Sequence, residues 1–81
     1  MTYKPLSSTN IEPRTRVAYI PNHADGDIKH PDVEWGYVSS SNEVNIFVKF
    51  DKQLDKFGWE GTTSQSCTPS TLYIEYPRSK N

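Results

Sequence analysis

Residues 34–50, EWGYVSSSNEVNIFVKF, decide the fold. In the second half, Val44, Ile46, Val48 and Phe50 alternate with Asn45, Phe47 and Lys49. A period of two sends those four apolar side chains to one face of an extended strand. In the first half, Trp35, Tyr37 and Ser39 share one face, and Gly36 and Val38 share the other. Between the halves, Ser41-Asn42 makes a tight polar turn. Strand, turn and strand read as a β-hairpin.

The chain on either side extends this pattern. Residues 16–20, RVAYI, are short, β-branched and aromatic, and Pro21 ends them, which predicts a strand. Residues 22–33 form a long loop. Asn22, Asp25-Gly26-Asp27 and His30-Pro31-Asp32 are turn formers, and no helical apolar stripe runs through them. Downstream, residues 51–61 read as a second long loop, with room for one helical turn near 53–57. Residues 62–67 predict a fourth strand and residues 72–76 a fifth, closed by Pro77. Between them Thr68-Pro69-Ser70-Thr71 predicts one 3₁₀ turn, because proline suits the first position of a helical turn. Together these predict a mostly β fold, a small five-stranded SH3-like barrel over residues 14–77. Residues 1–13 read as an N-terminal arm and residues 78–81 as a tail. The expected core is Val17, Val38, Val44, Ile46, Val48, Phe50 and Leu72. Trp35, Trp59, Tyr19, Tyr37 and Phe47 are expected to add bulk to it.

Eighty-one residues suit one domain with a small core. With 33% apolar and 23% charged residues the chain is polar, yet 12% aromatics and a net charge of −1 exclude a disordered one. The single cysteine, Cys67, rules out a disulfide within the chain and any zinc site needing two thiolates. It also points to a reducing, cytoplasmic setting. No apolar run reaches the length of a membrane span or a signal-peptide core. The net charge supplies no overall basic field for nucleic acid. Its distribution is uneven: residues 23–43 carry Asp25, Asp27, Asp32, Glu34 and Glu43 against Lys29, a net −4.

Three stretches carry a resemblance: RVAYIPNHADGDIKHPDVEWGYVSSSN from Arg16, then VNIFVKFD from Val44, then GWEGTTSQSCTPSTL from Gly58. Across them the sequence resembles a family of short, uncharacterised proteins encoded by bacteriophages and prophages. It also resembles, more loosely, the SH3-like plan of strand, hairpin and closing Pro-x-x-Leu, here Pro69 to Leu72. The phage resemblance implies a bacterial cytoplasm during infection. It brings no catalytic or binding residues with it.

The densest polar cluster is His23, Asp25, Asp27, His30, Asp32 and Glu34. Imidazole with carboxylate suits zinc, manganese or iron. The spacing nevertheless matches neither the H-E-x-x-H motif nor the EF-hand. The favoured reading is a loop whose Asp and His side chains satisfy its own backbone. The two histidines are then not expected to converge with the carboxylates. A metal, if one binds, would take His23, Asp25, Asp27, His30 and Asp32, but no metal or other cofactor is expected. No catalytic residue is expected either: Cys67 lacks a nucleophile signature and is read as buried and inert.

A protein partner is the favoured ligand. Its contact surface is read as Asp25, Asp27, Asp32, Glu34, Trp35 and Trp59, an acidic loop beside whichever of the two tryptophans the core leaves exposed. The loop is expected to be ordered and folded back on the barrel. The alternative is a nucleic-acid module using Arg16, Lys49 and Lys52.

Overall fold

A computed structural model describes residues 2–76 of the chain. Its strands are β1 (Thr2–Pro5), β2 (Arg16–Tyr19), β3 (Glu34–Ser41), β4 (Ile46–Phe50), β5 (Gln65–Cys67) and β6 (Leu72–Tyr76). One helix, α1, spans Asp51–Gly61, and 3₁₀ turns span Asn22–Ala24 and Pro69–Thr71. The fold is mostly β, as expected. All strands join one antiparallel sheet in the order β1-β6-β2-β3-β4-β5. Strands form within all five stretches expected of them, with the 3₁₀ turn ahead of the last; the fourth is shorter than expected, Gln65–Cys67 within residues 62–67. The sheet differs from the expected barrel in two ways. Among the described residues it is open, with β1 and β5 at its edges, and it has six strands.

The added strand comes from the expected arm. Thr2–Pro5 pairs with β6 from Thr2↔Tyr76 to Pro5↔Tyr73. Leu6 and Ile11 then pack against the core. Within the expected arm, residues 2–5 therefore belong to the sheet, and Leu6 and Ile11 to its packing. The chain reaches β2 through Arg14, which sits in the left-handed region at φ 72. This conformation lets the Arg14 N–H donate to the Val38 carbonyl (2.7 Å) while the Val38 N–H donates to Thr15 (2.9 Å). The expected tail, residues 78–81, lies outside the described residues.

The β3–β4 hairpin forms as expected, with Val38 opposite Val48 and Gly36 opposite Phe50, but a register shift between Val38 and Ser40 interrupts the alternation, and Ser41, expected in the turn, pairs with Ile46. Val17, Val38, Ile46, Val48, Phe50 and Leu72 make one buried cluster, flanked by Tyr19, Cys67 and Ile74. These side chains share the sheet's inner face and pack on one another across β2, β3, β4 and β6. Val44 is a correction: it is 68% exposed. The Asn42 side chain accepts the N–H groups of Val44 (2.9 Å) and Asn45 (2.8 Å), closing a polar turn that holds Val44 outside the ladder. Bulk is corrected as well. Phe50 is buried and half-buried Tyr19 packs against the cluster as expected, whereas Trp35, Tyr37, Phe47 and Trp59 are half-buried outside it. Trp35, Tyr37, Phe47 and Lys49 occupy the outer face. There Arg16 stacks over Trp35 and Tyr37 (5.1 and 4.6 Å), and Arg14 and Lys49 over Trp59 (3.9 and 4.6 Å).

Residues 51–61 are a helix where a loop was expected. Lys52, Gln53, Leu54 and Lys56 are good helix formers, and Asp51 complements the positive end of the helix dipole in the first turn. Gly58 kinks the helix at φ 74 and ψ 177, a conformation that only glycine adopts readily. Its carbonyl accepts the hydroxyl of buried Thr62 (2.6 Å). Among the described residues, no helix is long and apolar enough to cross a membrane.

Candidate functional site

A cleft of about 460 Å³ opens at the end of the sheet where β2 stops, β3 starts and β4 runs into α1. Strand register builds it. Because Gly36 faces Phe50, the residues just before Gly36 and just after Phe50 meet at the same sheet end. Its walls bring the carboxylates of Asp32 and Glu34 beside the rings of Tyr19, Trp35 and Phe50, with His23, Asp51 and Lys52 at the same opening. Trp35 is held by an edge-on contact with Tyr3 (centroids 5.9 Å apart) and by Arg16.

The loop that carries His23 and Asp32 is ordered, as its composition predicts. Its backbone N–H groups form a succession of short turns: Ala24 to Pro21, Asp25 to Asn22, Asp27 to Ala24, His30 to Asp27 and Val33 to His30, all 3.0–3.1 Å. Asp25 (φ 52) and Gly26 (φ 76) reverse the chain in the left-handed region. Side chains complete the turns: Lys29 N–H donates to the Asp27 carboxylate (2.9 Å), and Asp32 N–H donates to His30 Nδ1 (3.0 Å). Pro21 and Ala24 are buried beneath the loop.

One expectation about this loop is overturned. His23, His30 and Asp32 do converge, with one donor atom from each lying within 4.8 Å of the others. His23 Nε2 lies 2.7 Å from Asp32 Oδ2, and the two imidazoles meet edge to face at 5.3 Å. The hydrogen bond from His23 lowers the Asp32 pKa below the usual carboxylate value. The spacing of six and one intervening residues follows no linear motif, so only the reversal of the chain brings the three together. Asp25 and Asp27 do not belong to this group.

Of the residues expected to bind a partner, the structure therefore gathers Asp32, Glu34 and Trp35. Asp25 lines a separate groove with Gly26, Ser70 and Tyr73. Trp59 lies on another part of the surface, around an opening of about 270 Å³ shared with Arg14, Tyr37 and Leu54. Tyr19, Phe50 and Asp51 were missed as cleft residues. As strand and helix ends they carry no local signal that separates lining from core.

Of the residues of the nucleic-acid alternative, Arg16 and Lys49 flank Tyr37 on one rung of the outer face, and both are engaged by other groups. Arg16 makes a two-pronged pair with Asp51 (2.7 and 2.8 Å), which raises its pKa further. A pair this exposed contributes about 0.2–1 kcal/mol, so its role is mainly positional: it fixes the start of α1 against β2. The Lys49 ammonium donates to the Trp59 carbonyl and lies over its ring. Lys52 faces the cleft.

Cys67 is half-buried rather than fully buried. It sits in a groove with Tyr19, Glu34, Phe50 and Thr71, and neither histidine lines that groove. Burial first, and the Glu34 charge second, raise its thiol pKa. Little thiolate is therefore present near neutral pH. Iodoacetamide at pH 8 is expected to modify native Cys67 more slowly than a free cysteine peptide, and urea should restore the ordinary rate. Glu34→Gln should speed the native reaction. Native modification as fast as that of the peptide would show an accessible thiolate instead.

Compared with protein-family models, characterised proteins and solved structures, the chain gives no match. The chemistry of the cleft carries the functional reading.

Proposed function

We propose that the chain is a small binding module that takes a basic segment of a protein partner into the cleft between residues 32–35 and the end of β4. The single observation behind this reading is the composition of the walls. Asp32 and Glu34 stand beside Tyr19, Trp35 and Phe50 in one opening. A lysine or arginine side chain is complementary to that mixture, through carboxylates for its charge and ring faces for its cation and stem. A net −4 over residues 23–43 favours approach of a basic partner and disfavours a phosphate backbone. The resemblance to short phage-encoded proteins sets the reading in a bacterial cytoplasm during infection, with a host factor as the partner to be modulated or inhibited. No catalysis is part of this reading.

Trp35 provides the probe. In a Trp59→Phe background, a Lys- or Arg-bearing peptide is expected to change Trp35 emission saturably, and added salt should weaken the effect. Asp32→Lys combined with Glu34→Lys should slow association about tenfold or more. A double variant that binds basic peptides as wild type does would sink the reading. So would DNA or RNA binding that depends on Lys49 and Lys52.

A further inference from the structure

The loop over residues 21–33 sets two imidazoles, which peptide binding leaves unexplained, beside the Asp32 carboxylate of the cleft. We propose that His23, His30 and Asp32 form a binding site for a zinc-like divalent transition-metal ion, with one coordination position open toward the cleft. Two imidazoles and one carboxylate are the ligand types such an ion takes, whereas calcium and magnesium prefer oxygen alone.

The geometry needs little change. Tetrahedral zinc with bonds of about 2.0–2.2 Å places its donors about 3.3 Å apart. His23 Nε2 and Asp32 Oδ2, now 2.7 Å apart around a shared proton, have only to open slightly as the ion takes the proton's place. His30 begins within 4.8 Å and closes in. Its ligation costs one hydrogen bond, because Nδ1 now accepts the Asp32 amide. Either ring nitrogen that binds the ion ends that acceptance.

Two further features favour the site. The donors hang from a backbone already fixed by consecutive turns and anchored by buried Pro21 and Ala24, so binding orders side chains and not the loop. His23 and Asp32 also line the cleft while His30 does not, so the fourth ligand position faces the opening. Three protein ligands with one open position distinguish sites that take an exogenous ligand from closed structural ones. The ligand that fits is a water molecule, or a donor side chain of whatever occupies the cleft.

The test uses the full chain carrying Cys67→Ser, which removes the thiol as a competing ligand. Calorimetric titration with zinc chloride should show one ion per chain. Cobalt(II) should give visible absorption of four-coordinate intensity. His30→Ala and Asp32→Asn should each weaken binding about tenfold or more while circular dichroism stays unchanged. His30→Ala should leave basic-peptide binding intact, so this inference can fail without the peptide reading and the reverse. Three results would overturn it: no saturable zinc binding, zinc bound only when Cys67 is present, or affinity that survives both His23→Ala and His30→Ala.

Discussion

Gly36→Ala is expected to lower the unfolding free energy by about 3 kcal/mol, the upper part of the range for an overpacked interior. A methyl group at Gly36 would lie 2.7 Å from the Lys49 carbonyl oxygen, 2.8 Å from Val48 Cγ1 and 3.0 Å from Phe50 Cα. Two of those atoms are backbone, so no rotamer change relieves the clash. β4 itself must move away from β3, and this pair lies inside the sheet with strands on both sides. The substitution also reaches the cleft, because Gly36 opposite Phe50 is the last rung before the opening. Urea unfolding followed by circular dichroism measures the loss, and Trp35 emission reports the cleft in the same samples. A midpoint equal to wild type would mean that the two strands separate at no cost, against the close approach seen here.

Ile46→Ala carries the other large effect. Ile46 is fully buried in the central cluster. Its truncation should cost about 2–5 kcal/mol through lost burial and the cavity left behind. A core in a domain this small supplies only about 3–5 kcal/mol of net stability. The variant is therefore expected to be substantially unfolded at 25 °C, with a low urea midpoint or none. Val44→Ala is the matched control. It differs by two positions on the same alternating pattern, yet Val44 is 68% exposed, so its loss should stay within about 0.5 kcal/mol. Equal losses at the two positions would contradict the point at which β4 enters the sheet.

The Val44 and Ile46 contrast shows how far periodicity reaches. Alternation identified the strand and the buried face from Ile46 to Phe50. It did not find the first rung, because the Asn42 side chain captures the amides of Val44 and Asn45 and delays pairing. The 3₁₀ turn at Pro69 was legible for a similar local reason, since proline presets its backbone. The turn formers of residues 22–33 announced an ordered loop, and Asp27 and His30 cap it as their types suggest. Asp32, Glu34 and Trp35 were legible as neighbours because they lie close together in the chain.

Other features required the tertiary structure. Thr2–Pro5 becomes a strand through pairing with β6, a partner about seventy residues away; four residues containing a proline have no pattern of their own to declare it. The helix over Asp51–Gly61 reads locally as loop because Gly58 and Gly61 interrupt it, and its Asp51 is held by Arg16 across the fold. Trp59 looks in sequence like Trp35, yet the kinked helix carries it to Arg14 and Lys49, away from the acidic residues. By itself, then, the sequence determined the strand class, most of the buried face and the acidic loop, since these follow from nearest-neighbour preferences and a period of two. Only the tertiary structure decided which side chains meet in space: His23 with His30 and Asp32, Glu34 with Phe50, β1 with β6. Those meetings depend on chain reversal and strand register, which depend on the packing of the whole sheet rather than on any local run of residues.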